Sequence, residues 1–133
     1  MKPAENWTWN DGWILMALVM SDTGDGAELA NIIACADATN HAIPTPNELS
    51  WAFTKLFSVG LLRKEEGKFR ISEEFRDDLV AAYNEPGGLF ETARKGENWL
   101  NESGLDLRVS KNVTVTKENV DDAYKTYISR IRK

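Results

Sequence analysis

A chain of 133 residues with 42% apolar and 28% charged side chains has the length for one domain with a hydrophobic core, or for a small domain with an extension, and excludes a pair of full domains. Its net charge of −5 excludes a protein that coats nucleic acid or a membrane by charge alone. One cysteine, Cys35, excludes an intrachain disulfide and agrees with a reducing compartment.

The start, MKPAENWTWNDG, lacks the basic-then-apolar order of a signal segment, and the apolar run WILMALVM is too short to span a bilayer. A cytoplasmic chain with no membrane partner is expected. Trp7, Trp9 and Trp13 form an aromatic cluster in which alternating Trp7 and Trp9 suit a short strand against a hairpin, or a dimer brace, and Trp13 suits the core. Asn10 or Asp11 can cap a short buried helix over residues 13 to 20. After the turn-rich SDTGDG, Asp25 stands three residues before Glu28, the spacing of a capping box. A second helix follows, with Leu29, Ile32, Ile33 and Ala36 on one face.

The stretch HAIPTPNELS holds the only histidine, His41. Without a second His or Cys, a set of Cys35, Asp37 and His41 is poorly spaced for a metal, and no nucleophile motif accompanies the imidazole. A helix end accounts for the pair: Asn40 suits a left-handed C-cap and His41 can donate to the last carbonyls. Thr45, Pro46 and Glu48 then mark the start of a third helix, as N-cap, first helical residue and capping-box acid. Leu49, Ala52, Phe53 and Leu56 line its inner face, and Gly60-Leu61 supplies a left-handed stop. A wheel at about 100° per residue turns Asn47, Trp51, Thr54, Lys55 and Ser58 outward. An outward Trp51 is either a contact residue or is covered by the N-terminal Trp-Thr-Trp segment or a C-terminal helix.

LLRKEEGKFRIS reads as a hairpin turning at Glu66-Gly67, with Phe69 and Ile71 on one face and Lys68 and Arg70 on the other. Ser72 can cap a fourth helix, carrying Phe75, Leu79, Ala82 and Tyr83, until Pro86-Gly87-Gly88 breaks it. A further helix is expected from about Leu89 to Leu100, with Gly96 as a cost within it. Alternation at Leu105, Leu107 and Val109, and again at Val113 and Val115, predicts two short strands. Thr116 caps a closing helix whose Val120, Ala123, Tyr124, Tyr127, Ile128 and Ile131 form a broad apolar face, with Arg130, Arg132 and Lys133 at its end.

Paired carboxylates (Glu65-Glu66, Glu73-Glu74, Asp77-Asp78, Asp121-Asp122) fall in turns or on solvent-facing helix surfaces, and Gly24-Asp25-Gly26 lacks the lysine of a phosphate loop. No catalytic residue, metal site or cofactor is expected, and the chain reads as non-enzymatic.

The capped helix TPNELSWAFTKLFSVGLL followed by LLRKEEGKFRIS resembles the recognition helix and wing of bacterial winged helix-turn-helix regulators, over roughly residues 10 to 75. NHAIPTPNEL is also similar to a stretch of small bacterial proteins of no assigned activity. The resemblance implies a helix-rich α+β fold, a three-helix core plus a β-hairpin wing, with a winged-helix domain over 1-75 and a helical and short-β extension over 76-133. The extension would pack on that domain or mediate dimerisation. The linker Thr39 to Pro44 is longer than the usual helix-turn-helix turn. Two ligands stay open. DNA would be bound by helix 46-59, through Asn47, Trp51, Thr54, Lys55 and Ser58, and by the 62-71 wing, through Arg63, Lys64, Lys68 and Arg70, in a homodimer held by the 117-131 helix. Alternatively the scaffold is a protein-interaction module anchored by Trp51.

Overall fold

The computed structural model describes residues 6–131, so Arg132 and Lys133, expected at the end of the closing helix, lie outside the described residues. Helix α1 (Trp9–Ser21) is the centre of the molecule, with every residue from Asp11 to Leu18 buried. A helix apolar all round has to be an interior one. Its cap is not Asn10 or Asp11 but Thr8: the Asp11 N–H donates to the Thr8 hydroxyl at 3.3 Å, and the Thr8 N–H donates back to the Asp11 carboxylate at 2.8 Å. Asp11 is thus the third helical residue, and Trp7 and Trp9 form no strand. Trp9 begins α1 with its ring 5.7 Å from Trp13, whose indole N–H donates to the Ala36 carbonyl at 3.0 Å deep in the core.

Helices α2 (Leu29–Asn40), α3 (Pro46–Ser58), α4 (Glu73–Tyr83) and α5 (Thr92–Glu102) surround α1, and α5 packs against it most extensively. One hydrophobic cluster joins residues before and after position 75, from Trp13 to Ala123. The Asp25–Glu28 capping box does not form: Glu28 occupies the N-cap position of α2 without a side-chain cap bond. The loop is organised by Asp22 instead. Its buried carboxylate accepts from the backbone of Gly24 (3.0 Å), Gly26 (2.8 Å) and Ile71 (2.8 Å) and from Arg76 (2.8 Å). Ala27 is thereby laid beside Phe69, the two exchanging backbone hydrogen bonds of 2.8 Å.

Burial alone would raise the Asp22 pKa, but the backbone donors of Ile71, Gly24 and Gly26 and the Arg76 guanidinium outweigh it, and the net shift is downward. A carboxyl depressed in the folded state contributes stability that is complete above its unfolded value and is lost as pH falls through the folded one. Urea unfolding is therefore expected to show wild type losing stability below about pH 4, with Asp22→Asn both weaker at neutral pH and flatter with pH. An unchanged acid slope in Asp22→Asn would refute this role.

At the end of α2 the left-handed residue is His41 (φ 51), not Asn40, and its backbone N–H donates to Asp37 O at 2.7 Å. The imidazole rests on Phe90, ring centroids 5.2 Å apart. Helix α3 begins with the expected reciprocal box: Glu48 N–H to the Thr45 hydroxyl, 3.1 Å, and Thr45 N–H to the Glu48 carboxylate, 2.8 Å. It ends with Gly60 at φ 80 and with Gly60 N–H on Phe57 O and Leu61 N–H on Leu56 O, the doubly bonded left-handed stop. Leu49, Ala52, Phe53 and Leu56 are fully buried.

Strands β1 (Leu62–Glu65) and β2 (Lys68–Ile71) pair antiparallel around Glu66-Gly67, both at positive φ as a two-residue hairpin turn needs. Phe69 and Ile71 face inward. Ser72 sits at the N-cap of α4, but its hydroxyl donates to Gly60 O rather than capping. A 3-10 turn (Leu89–Glu91) leads into α5.

The two expected tail strands are absent among the described residues: 104–116 carries no regular secondary structure and pairs with no strand. Helix α6 (Lys117–Ile131) starts at Thr116, whose hydroxyl accepts from the Asn119 N–H at 3.0 Å. It packs on α2 through Val120 and Ala123, with Tyr127 donating to Asp37 at 2.8 Å, and leaves Tyr124 and Ile131 exposed. The result is a helix-rich α+β arrangement with one small hairpin. Among the described residues no helix is long and apolar enough to cross a membrane.

Candidate functional site

The outer face of α3 is where the sequence places a ligand, and the structure redistributes it. Asn47 is exposed and Trp51 half-buried. Lys55 is not outward: it is 2% exposed, and its ammonium donates to the Asp11 carboxylate at 2.6 Å and to the Asn6 carbonyl at 2.8 Å. The start of α1 lies against this part of α3, where Asn10 also donates to Glu48 O at 3.0 Å, so the lysine stem is enclosed while its charge is met by Asp11. Of the residues expected on α3, Asn47 and Trp51 remain open to a ligand.

Thr54 is buried too, and Ser58 is engaged, because the tail lies across them. Ser50 accepts from the Val115 N–H (2.8 Å) and donates to Val115 O (3.1 Å). Thr54 does the same with Val113, at 2.9 and 3.1 Å. Ser58 accepts from the N–H groups of Ser110 (3.0 Å) and Lys111 (3.1 Å). The match is geometric: four helical residues rise about 6 Å, and two extended residues about 6.6 Å, so hydroxyls at every fourth helical position meet every second residue of an antiparallel strap. The alternation of Val113 and Val115 is real, but its partner is a helix. Ser50 is the residue sequence reasoning missed, and its signal was available, since Ser50, Thr54 and Ser58 form a stripe of three hydroxyls at every fourth position.

On the wing, Arg70 is structural: it reaches Glu65 at 3.1 Å and the Gly24 carbonyl at 2.7 Å. Arg63 lies 3.4 Å from Glu65. Lys64 sits over the Phe69 ring, 5.3 Å from its centroid, and Lys68 is exposed. Two of the four wing cations, Arg63 and Lys64, meet Lys111 at a concavity of about 350 Å³ that is also lined by Phe57, Gly60 and Leu62 and by no carboxylate, whereas Lys68 and Arg70 lie outside it. On the other side of Phe57, a cleft of about 310 Å³ runs between the strap, the wing and α6, with Leu29, Phe57 and Phe69 as apolar lining beside Val113 and Val115.

Among the described residues the hydroxyls of Ser50, Thr54 and Ser58 bond to backbone groups of the strap. Burial pushes the Cys35 thiol pKa up, away from the reactive thiolate. Among the described residues no group of three or more His, Cys, Asp or Glu side chains could hold a metal. Comparison with protein-family models, curated proteins and solved structures gives no match.

Proposed function

We propose that the chain is a non-enzymatic winged-helix protein-interaction module, with Trp51 as its anchor. The element order supports the scaffold: α1, the Ala27 rung on β2, α2, α3 and then the β1–β2 hairpin. The observation that carries the choice of ligand is the occupation of α3. Base edges are read by Arg, Lys, Asn or Gln side chains projecting from a helix into a groove. Here Lys55 is tied to Asp11 and the hydroxyl stripe is under the strap, which leaves Asn47 and Trp51. An aromatic ring beside a polar residue suits a protein surface better than a base pair.

The test places a photo-crosslinking residue at Asn47 in the full chain, in cells of its source. A discrete protein adduct is expected, weakened about 30-fold by Trp51→Ala, as for an anchor worth about 2 kcal/mol, with the melting temperature kept. A large stability loss in Trp51→Ala would instead make that residue part of the core. The concavity of Arg63, Lys64 and Lys111 favours a second reading, contact with DNA phosphates. Under the first reading, duplex binding is absent even at low salt. Binding whose logarithm falls with log salt at a slope of about −3.6, as for roughly four neutralised phosphates, would replace it with the second.

A further inference from the structure

The hydroxyl stripe of α3 does something a helix surface rarely does: it satisfies both backbone groups of Val113 and of Val115, as the edge of a sheet would. Such contacts recognise an extended backbone whatever its side chains, and leave selectivity to the pockets that flank it. The flanking pocket is poorly filled. The cleft of about 310 Å³ beside the strap remains open although Val113 and Val115 both line it, and Leu29, Phe57 and Phe69 offer it apolar surface. Val115 is itself buried, 6% exposed, so the open space lies beside the strap's side chains rather than beneath them.

We propose that Ser50, Thr54, Ser58 and this cleft form a binding site for an extended peptide segment of a protein partner that carries bulky apolar side chains two residues apart, and that residues 110–115 are its self-ligand. The proposal rests on the protein-interaction reading and names the partner's chemistry. A segment with Leu and Phe where the strap has Val113 and Val115 makes the same backbone hydrogen bonds and buries more apolar surface against Phe57 and Phe69, so it displaces the strap. Displacement is local. The strap is held by hydroxyls and by Val113 and Val115 against the edge of the core, and is flanked by exposed residues and by Gly104 at φ 73, while α6 keeps its own packing on α2.

The test uses the full chain and two fluorescent peptides, the sequence of residues 108–116 and the same sequence with Phe for Val115 and Leu for Val113. The bulky peptide is expected to bind at least tenfold more tightly, and to raise amide exchange of Val113 and Val115 in the protein, whose N–H groups lose their partners. A chain carrying Val113→Leu and Val115→Phe, whose own strap then offers the cleft bulky side chains, is expected to bind the bulky peptide at least tenfold more weakly than wild type, with Val115→Phe alone as the second variant should the first not fold. Equal affinity of the two peptides, unchanged exchange of the strap amides, or full affinity of the bulky peptide for a folded chain carrying Val115→Phe, with or without Val113→Leu, would each overturn the proposal. The readings fail separately: an adduct at Asn47 without peptide binding removes only this site, and peptide binding without such an adduct removes only the role of Trp51.

Discussion

Lys55→Met is expected to cost about 3–5 kcal/mol of stability, the usual loss when one member of a buried ion pair is removed. The Asp11 carboxylate stays behind in the core. One of its oxygens already lacks a hydrogen-bond partner, and the other would keep only the Thr8 backbone and hydroxyl donors after losing the 2.6 Å bond to Lys55. The Asn6 carbonyl would lose its donor as well. Methionine matches the stem in volume, so the loss reports charge and hydrogen bonding rather than a cavity. Asp11→Asn combined with Lys55→Met should fall well short of the sum of the single losses, because two residues in direct contact couple. Urea unfolding of the four chains of this cycle checks it. Were Lys55 a ligand contact instead, Lys55→Met would keep its stability and lose only binding.

That lysine marks the boundary of what the chain discloses before folding. Thr45, Pro46 and Glu48 were readable as a helix start because a capping box is closed within four residues, and no distant element has to cooperate. The hairpin at Glu66-Gly67 was readable for the same reason, and period-two burial correctly turned Phe69 and Ile71 inward. Lys55 was not, because its partner lies 44 residues upstream and a helical wheel treats a lysine as a surface residue until an acid is known to wait behind it. Asp25 and Glu28 had the spacing of a cap. The loop is shaped instead by the buried Asp22, which accepts from Gly24 and Gly26 and from Ile71 and Arg76 far along the chain, partners that a local spacing does not reveal. In the tail the alternation of Val113 and Val115 named an extended backbone correctly and its partner wrongly, since period two records which side faces the protein and not what stands there.

The occupied face of α3 and the buried lysine therefore have one origin. Both arise because the chain at and just before the first turn of α1, and the segment after α5, close over the outer face of α3. Whatever holds α1 and α5 in register also sets where Asp11 and the strap lie.

That register is set by glycine. Gly96→Ala is expected to destabilise the protein by about 3 kcal/mol or more, the upper range for overpacking a tight core, a fall of roughly 10 °C in melting temperature for a chain of this size. In an ordinary exposed helix the same change would stabilise by about 1 kcal/mol through helix propensity, so even the sign is diagnostic. A Cβ added at Gly96 would sit 2.4 Å from the Gly12 carbonyl oxygen and 2.9 Å from its Cα, and one at Gly12 would lie 2.3 Å from both Ala93 O and Glu97 N. All of these are backbone atoms, so no rotamer change relieves them, and α1 and α5 would have to move apart. Gly12→Ala should cost as much as Gly96→Ala, and the double variant less than their sum, because one separation of the helices accommodates both methyl groups. Gly88→Ala is the control: nothing lies within 4 Å of the added Cβ and its φ is −75, so a change within about 0.5 kcal/mol is expected. A stabilised Gly96→Ala chain would show that the two helices do not meet there. A destabilised one should also raise amide exchange at Thr8 and Asp11, since Asp11 precedes Gly12 and moves with it, which links this contact to the Lys55 pair one residue away on α1.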